Sequence, residues 1–201
     1  MVTMKTICEA IELEGGFVKL ELLSHQYDSE FMEIIQRDSL HKLWYTSVPE
    51  PENLAKDVER RLKLYQQQEM LPFAVMNKKS GKAVGMTAYN KIDQETRRVE
   101  IGATWYSREV QRTAINTEAK FLLLQHAFET LSCVAVEFRT HFLNQQSRRA
   151  IERLGAKLDG VLRSHMYTRT GELRDTCVYS IIASEWPSIK HHLQWQLEKP
   201  R

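Results

Sequence analysis

The chain predicts a mixed α/β domain, a sheet with helices on its faces, and three stretches carry that prediction. "PFAVMN" and "AVGMTAYNKI" flank "KKSGK", a turn containing Gly81, which reads as a β-hairpin. From "RRVEIGATWYS" onward the pattern alternates between element types: a strand, a helically spaced run, the strand "VAVEFRTHF" and the short helix "NQQSRRAIERLG". Two more strand-like runs, "KLDGVLRSHMYT" and "TCVYSIIAS", follow around "RTGELRD".

The remaining elements fall into place in order. "GGFVKLELL" alternates as a first strand. "SHQYDSEFMEIIQ" reads as a helix with Ser24 as N-cap and Tyr27, Phe31, Ile34 and Ile35 facing inward. "PENLAKDVERRLKLYQQQ" is a second helix with Leu54, Val58, Leu62 and Tyr65 on one stripe. After "RRVEIGATWYS" a helix is expected over 117–131, with Phe121, Leu124, Phe128 and Leu131 as its core stripe. Asn144 is placed to cap the short helix and Gly155 to end it. A tail helix, "SEWPSIKHHLQWQL", has Pro187 in its first turn. There is no internal repeat, and the expected organisation of residues 1–201 is one domain.

Composition narrows the function classes. Of 201 residues, 42% are hydrophobic and 27% charged, which is ordinary for a globular chain with a real core. A net charge of +2 argues against a dedicated nucleic-acid binder. Yet Arg97, Arg98, Arg108, Arg112, Arg148, Arg149 and Arg153 concentrate positive charge mid-chain, which suits a small anionic ligand. Cys8, Cys133 and Cys177 are odd in number and far apart, and the seven histidines lack metal spacing, so neither a disulfide framework nor a metal site is expected. The opening "MVTMKTICEAIELEGG" places acids where a secretory leader needs an apolar run, and no run is long enough to span a bilayer. The expectation is a cytoplasmic protein that binds neither membrane nor nucleic acid. A homodimer is compatible with the chain.

The stretch between "RRVEIGATWYS" and the following helix is a strand-to-helix turn, "REVQRTAINTEAK". A helix start carries unpaired N–H groups and partial positive charge, so it attracts phosphate. Most such turns bind nothing, and this one has no glycine. Its pattern nevertheless resembles the GNAT N-acetyltransferases, in particular the ribosomal-protein N-terminal acetyltransferase branch. That family's turn follows Q/R-x-x-G-x-G/A and is commonly trailed by T-E-A. Here "QRTAINTEA" supplies Gln111 and Thr117-Glu118-Ala119, with Ala114 and Asn116 standing where glycines belong. The later Asn-x-x-Ser pattern with a terminal glycine reads "NQQSRRAIERLG". The hairpin and "VEIGATW" fit in order, so the likeness covers roughly residues 73–182.

The resemblance implies a single GNAT-type domain with a mostly antiparallel central sheet. Its cofactor-binding core would span 73–182, its acceptor-side helices 24–70 and its tail helix 184–201. It implies acetyl-CoA as cofactor, with Gln111, Arg112, Thr113, Ala114, Ile115, Asn116 and Thr117 around the pyrophosphate and Asn144 on the pantetheine arm. It implies direct acetyl transfer to a primary amine, such as a peptide N-terminus, with an oxyanion held by backbone near Thr104-Trp105-Tyr106. Ser147 matches the family's proposed proton donor to the thiolate; a first-turn serine with a local hydrogen bond is the plainer reading. Asn144 is cofactor contact, N-cap or both, Asn116 is arm contact or cap, and Trp105 reads equally as core. Glu100, an acid in a strand expected to be buried, is either a base or the partner of an arginine, and Glu137 has the weaker form of the same choice. Trp44 and Tyr45 either line an acceptor pocket, with Glu50 and Glu52 attracting a cationic amine, or form an apolar lid. His126 and His141 read as structural. A catalytically silent acyl-CoA-binding module with the same fold is the competing function.

Overall fold

The computed structural model describes residues 6–199. In chain order the elements are β1 (Leu13–Glu14), β2 (Val18–Leu22), α1 (Asp28–Asp38), α2 (Leu54–Gln66), β3 (Met70–Asn77), β4 (Lys82–Asp93), β5 (Arg98–Tyr106), α3 (Ala114–Gln125), β6 (Ala135–His141), α4 (Gln145–Glu152), β7 (Lys157–Tyr167), β8 (Leu173–Ile182) and α5 (Trp186–Glu198). The strands form one sheet in the order β1-β2-β3-β4-β5-β6-β8-β7. Neighbours are antiparallel except β5 and β6, which α3 joins by a crossover.

That parallel pair is short. Only Arg98, Val99 and Glu100 register against Ala135, Val136 and Glu137. Beyond Glu100, β5 stays with β4 as far as Tyr106, while β6 stays with β8 as far as His141. The two strands therefore splay, and the sheet opens into a V on the side where α3 begins.

Strand alternation sorts the core into two layers. Phe73, Val75, Val99, Ile101, Tyr106, Val136 and Phe138 join Ile115, Ala119, Leu123 and Leu124 of α3 and Trp186, Ile189 and Leu193 of α5. On the opposite face Ala74, Met86 and Trp105 join Phe31, Ile34, Ile35, Leu54 and Val58 of α1 and α2. Because α5 also packs on α3, with Trp186 against Phe121 and against Phe128 in the turn just after it, α3 is covered on most sides.

Three local expectations need correction. The first helix starts at Asp28 after a 3-10 turn, and the Ser24 hydroxyl makes no cap bond. On α2, Leu62 and Tyr65 are only partly buried; Arg61 is the buried residue, held by Asp57 at 2.7 Å one turn earlier. Helix α3 begins three residues before Thr117, since the Thr113 side chain caps it by accepting the Ile115 N–H at 3.3 Å.

Glu118 of α3 is a buried acid whose partners are all backbone. Its carboxylate accepts the N–H groups of Gly16, Phe17 and Val18 at 2.8, 2.6 and 2.7 Å, fastening the β1–β2 turn to the helix. A Cβ on Gly15 would lie 2.4 Å from the Glu118 carboxyl carbon, so the turn needs glycine there. Glu118→Ala should leave these donors unsatisfied and cost roughly 3 kcal/mol or more, about 6–12 °C in Tm. Urea unfolding with an unchanged m-value measures it; a loss under ~1 kcal/mol would show that water replaces the carboxylate without penalty.

Candidate active site and cofactor cleft

The β5 wall of the V is shaped by a bulge. Between Met86↔Trp105 and Ala88↔Gly102, β5 carries one extra residue, and Ala103 sits at φ +49°. The buried Arg61 donates to the Ala103 carbonyl at 3.3 Å, holding the bulge from the α2 side. Past it, Trp105 and Tyr106 leave the strand on opposite faces. Trp105 packs edge-on against Phe31 at 5.3 Å, and Tyr106 enters the α3 layer. Among the described residues the edge of β5 that faces β6 has no strand partner from Ile101 onward.

The turn after β5 is anchored at both ends. Asp38, at the end of α1, accepts the Arg108 N–H at 2.6 Å, and the Gln111 side chain donates to the Tyr106 carbonyl at 3.2 Å. Arg112 takes the one left-handed position, φ +63°, while Ala114 is already the first residue of α3. The methyl of Ala114 therefore meets no left-handed strain, and Asn116 lies inside the first turn rather than capping it. The Thr113 and Ile115 N–H groups are taken by Val110 and Thr113. The other first-turn amides have no partner within the helix.

Helix α4 closes the other side. The Asn144 side chain caps it by accepting the Ser147 N–H at 3.0 Å, and among the described residues the Ser147 hydroxyl has no hydrogen-bond partner. Gln146 donates to the Gln111 side chain at 3.2 Å, joining α4 to the turn across the mouth of the V. Arg153, at the end of α4, donates to Thr117 at 3.1 Å and to Gln196 of α5 at 3.4 Å. Between these elements lies a cavity of about 450 Å³ lined by Arg112, Thr113, Arg153, His192, Trp195, Gln196 and Lys199. Of the sequence-predicted residues, Arg112 and Thr113 line this cavity, with α5 as an unforeseen wall; Gln111 is joined to α4 through Gln146 and Thr117 through Arg153, while Asn144 and Ser147 lie at the start of α4 outside the lining.

Trp44 and Tyr45 lie apart from that cavity, on the loop between α1 and α2. Trp44 stacks edge-on against His141, the last residue of β6, at 5.0 Å. The loop is strapped down by Arg169 of the β7–β8 turn, which donates to the carbonyls of Val48 and His41 at 2.8 and 2.6 Å. Glu50 belongs to this strap, 3.9 Å from Arg169 and 3.5 Å from His41, and Glu52 is exposed. Glu100 is buried beside Arg139 at 3.5 Å and Lys91 at 3.3 Å. Burial raises the Glu137 pKa, but the hydrogen bonds from Arg98 and Arg139 outweigh it and hold the group below the ordinary carboxylate value. Burial and then Arg174 hold His141 below the ordinary histidine value, partly opposed by Asp175.

A family model described as an acetyltransferase (GNAT) domain matches residues 19–157. The chain belongs to this family. A GCN5-related N-acetyltransferase structure from Brucella melitensis is 31% identical, with a TM-score of 0.84 over 94% of this chain and 86% of that one. YdaF of Bacillus subtilis (strain 168), whose name assigns ribosomal N-acetylation provisionally, is 33% identical over 110 residues. That match covers 55% of this chain and 59% of the relative, less than two thirds of its length. Mycobacterium smegmatis RimJ, solved in complex with CoA-disulfide, shares the fold at 21% identity and a TM-score of 0.78 over 93% of both chains.

Within the GNAT frame one group escaped the sequence reading. Lys120 of α3 is buried, and its amine donates to the hydroxyls of Thr87 and Thr104 at 2.9 and 2.8 Å, directly under the β5 bulge. Among the described residues no carboxylate compensates it, and burial lowers its pKa to about 7. Helical spacing carried the signal: Lys120 lies three and four residues before the buried Leu123 and Leu124. His141 and Arg174 were legible only as members of alternating strands.

Between about pH 7 and 10.5 the unfolded chain holds the Lys120 proton and the folded chain does not. Stability from this group therefore rises with pH across that window, at about 1.4 kcal/mol per unit. Below pH 7 both states are protonated, and the full penalty of a buried ammonium applies. Lys120→Met should accordingly be more stable than the wild type at pH 7, with an advantage that shrinks by pH 9.5. Denaturation curves at the two pH values test this; a constant difference would mean that Lys120 titrates as an ordinary lysine.

Proposed function

We propose that this chain is an acetyl-CoA-dependent N-acetyltransferase acting on a primary amine within a ternary complex. The observation that carries the reading is the V between β5 and β6, which ends on the first turn of α3 beside a cavity of about 450 Å³ with cationic lining. Unpaired helix-start amides, Arg112 and the cavity suit the phosphates of the cofactor. The unpartnered edge of β5 suits an extended, amide-bearing arm, with Gln111 and Asn144 on either side of the entrance. Acetyl-CoA supplies the acetyl group as a thioester.

The residues then divide the work. A backbone N–H at the end of β5, near Trp105 and Tyr106, stabilises the developing oxyanion. The Ser147 hydroxyl, without a hydrogen-bond partner among the described residues, donates a proton to the departing thiolate and takes back the one the attacking nitrogen sheds as the amide forms, so the serine ends unchanged. Glu100, held between Arg139 and Lys91, supports the acceptor side electrostatically. An acceptor α-amine, with a reference pKa of ~7.7–8.0, loses its proton near neutrality with little help, so no committed base is required. The glycine-poor turn does not favour a silent binding module, because Ala114 occupies ordinary helical geometry.

Calorimetry with Arg112→Ala should show acetyl-CoA binding weakened ~10-fold or more, and a smaller loss for a pantetheine fragment lacking the pyrophosphate. Equal losses for both ligands would remove Arg112 from the phosphate site.

Ser147→Ala should lower kcat by roughly 100-fold while acetyl-CoA affinity stays within ~3-fold, since a proton donor acts in the transition state. Weakened affinity with unchanged turnover at saturation would instead make Ser147 a cofactor contact.

A further inference from the structure

The face of the V opposite α3 holds more positive charge than its own acids neutralise. Val136 and Phe138 of β6 belong to the α3 layer, so Glu137, Arg139 and His141 point the other way. Glu100 of β5 registers with Glu137, and Thr176 of β8 with His141, which places Arg174 on the same face two residues along. The two carboxylates there are each shared: Glu137 takes Arg98 at 2.7 Å and Arg139 at 3.0 Å, and Glu100 lies near Arg139 and Lys91.

Arg174 is the fourth cation of this set: Glu100 acts on it electrostatically, but among the described residues no carboxylate pairs with it at close range. Its Nε donates to the Thr176 hydroxyl at 3.3 Å, and its two terminal nitrogens have no acceptor among the described residues. The neighbouring acid, Asp175, points to the other face, where Arg163 at 2.6 Å and the Ser164 N–H at 2.8 Å take it. Arg174 is half-buried, and His141 and His165 beside it are both held below the ordinary histidine value, which keeps them from answering its charge or adding to it near neutrality. Four cations thus face two carboxylates.

A guanidinium with two free nitrogens in a partly dry setting is a fork for a carboxylate or phosphate. The same field works against polyamines and lysine side chains, which would bring further positive charge. Trp44 on His141 and the Arg169 strap bound this end of the face and favour a compact acceptor.

We propose that the acceptor is a compact amine that also carries a carboxylate or phosphate, and that Arg174 holds this anionic group. The proposal rests on the N-acetyltransferase reading and specifies its acceptor class.

The test uses matched pairs with acetyl-CoA and thiol release as readout: an α-amino acid against its carboxamide, O-phosphoethanolamine against ethanolamine, and a peptide beginning with Asp against one beginning with Asn. At least one anionic member should exceed its neutral partner by ~10-fold in kcat/KM, mostly through KM. Arg174→Gln should lower kcat/KM for that anionic member at least ~10-fold more than for its partner, and Arg174→Lys should restore part of the difference. Neutral members preferred in every pair, or equal losses across a pair in the variant, would overturn the assignment. Which pair responds tells carboxylate from phosphate. If acetyl-CoA binds but no amine is turned over, the enzymatic reading fails by itself. Calorimetry of the same compounds then decides: anion-dependent binding lost in Arg174→Gln supports the site, and binding indifferent to Arg174 refutes it.

Discussion

Three residues of parallel pairing, Arg98–Glu100 against Ala135–Glu137, hold the two halves of the sheet together, and the cleft exists because the ladder stops there. Two neighbouring constraints enforce the stop. On one side the bulge at Ala103 turns β5, and Arg61 fixes that turn by bonding its carbonyl. On the other side β6 keeps full register with β8 through His141. Strands committed to different neighbours cannot close on each other, so part of the β5 edge is left without a strand partner. Backbone groups in that position must find water or a ligand.

Polar side chains, some buried and some exposed, act as clamps on segments that would otherwise move. Glu118 fixes the β1–β2 turn through three amides, and Asp38 fixes the start of the β5–α3 turn through one. Gln111 ties β5 to α4, and Arg169 ties the α1–α2 loop to the far hairpin. Each clamp spans elements distant in sequence. Their loss would loosen geometry more than it would remove core contacts. Lys120 differs, because it meets only hydroxyls and keeps its place by giving up its charge.

Periodicity revealed the element types because burial on one side of a strand or helix is written into local spacing. Phe31, Ile34 and Ile35 are buried where the helical stripe put them, and so are Leu124 and Leu131. Where two layers meet, local spacing failed: α3 is covered by α5 as well as by the sheet, so Glu118 and Lys120 are inside although they are charged. On α2 the stripe named Leu62, but the inward position with a partner one turn away belongs to Arg61. The start of α3 was misplaced because a threonine side chain, not a glycine or a run of apolar residues, decides it. The site residues Gln111, Asn144 and Ser147 were legible only through the family pattern, since their meeting depends on pairing order, which no single stretch encodes.

The charge distribution gives the cleft its direction. The whole chain carries only +2, yet both sides of the V are cationic. Acids are spent internally, Glu118 and Asp38 on backbone amides and Glu100 and Glu137 on ion pairs, so they contribute little to the outer field. On the α3 side Arg112, Arg153 and Lys199 line a cavity open to solvent, where salt screens them readily. On the opposite side the half-buried Arg174 is screened less, and its charge acts at short range. Under the proposed function the exposed set would draw an anionic cofactor from a distance, whereas the sheltered one would select an anionic acceptor on contact. On that reading two ligands of like charge could share one cleft, because the sheet and its central helix would stand between their anionic ends.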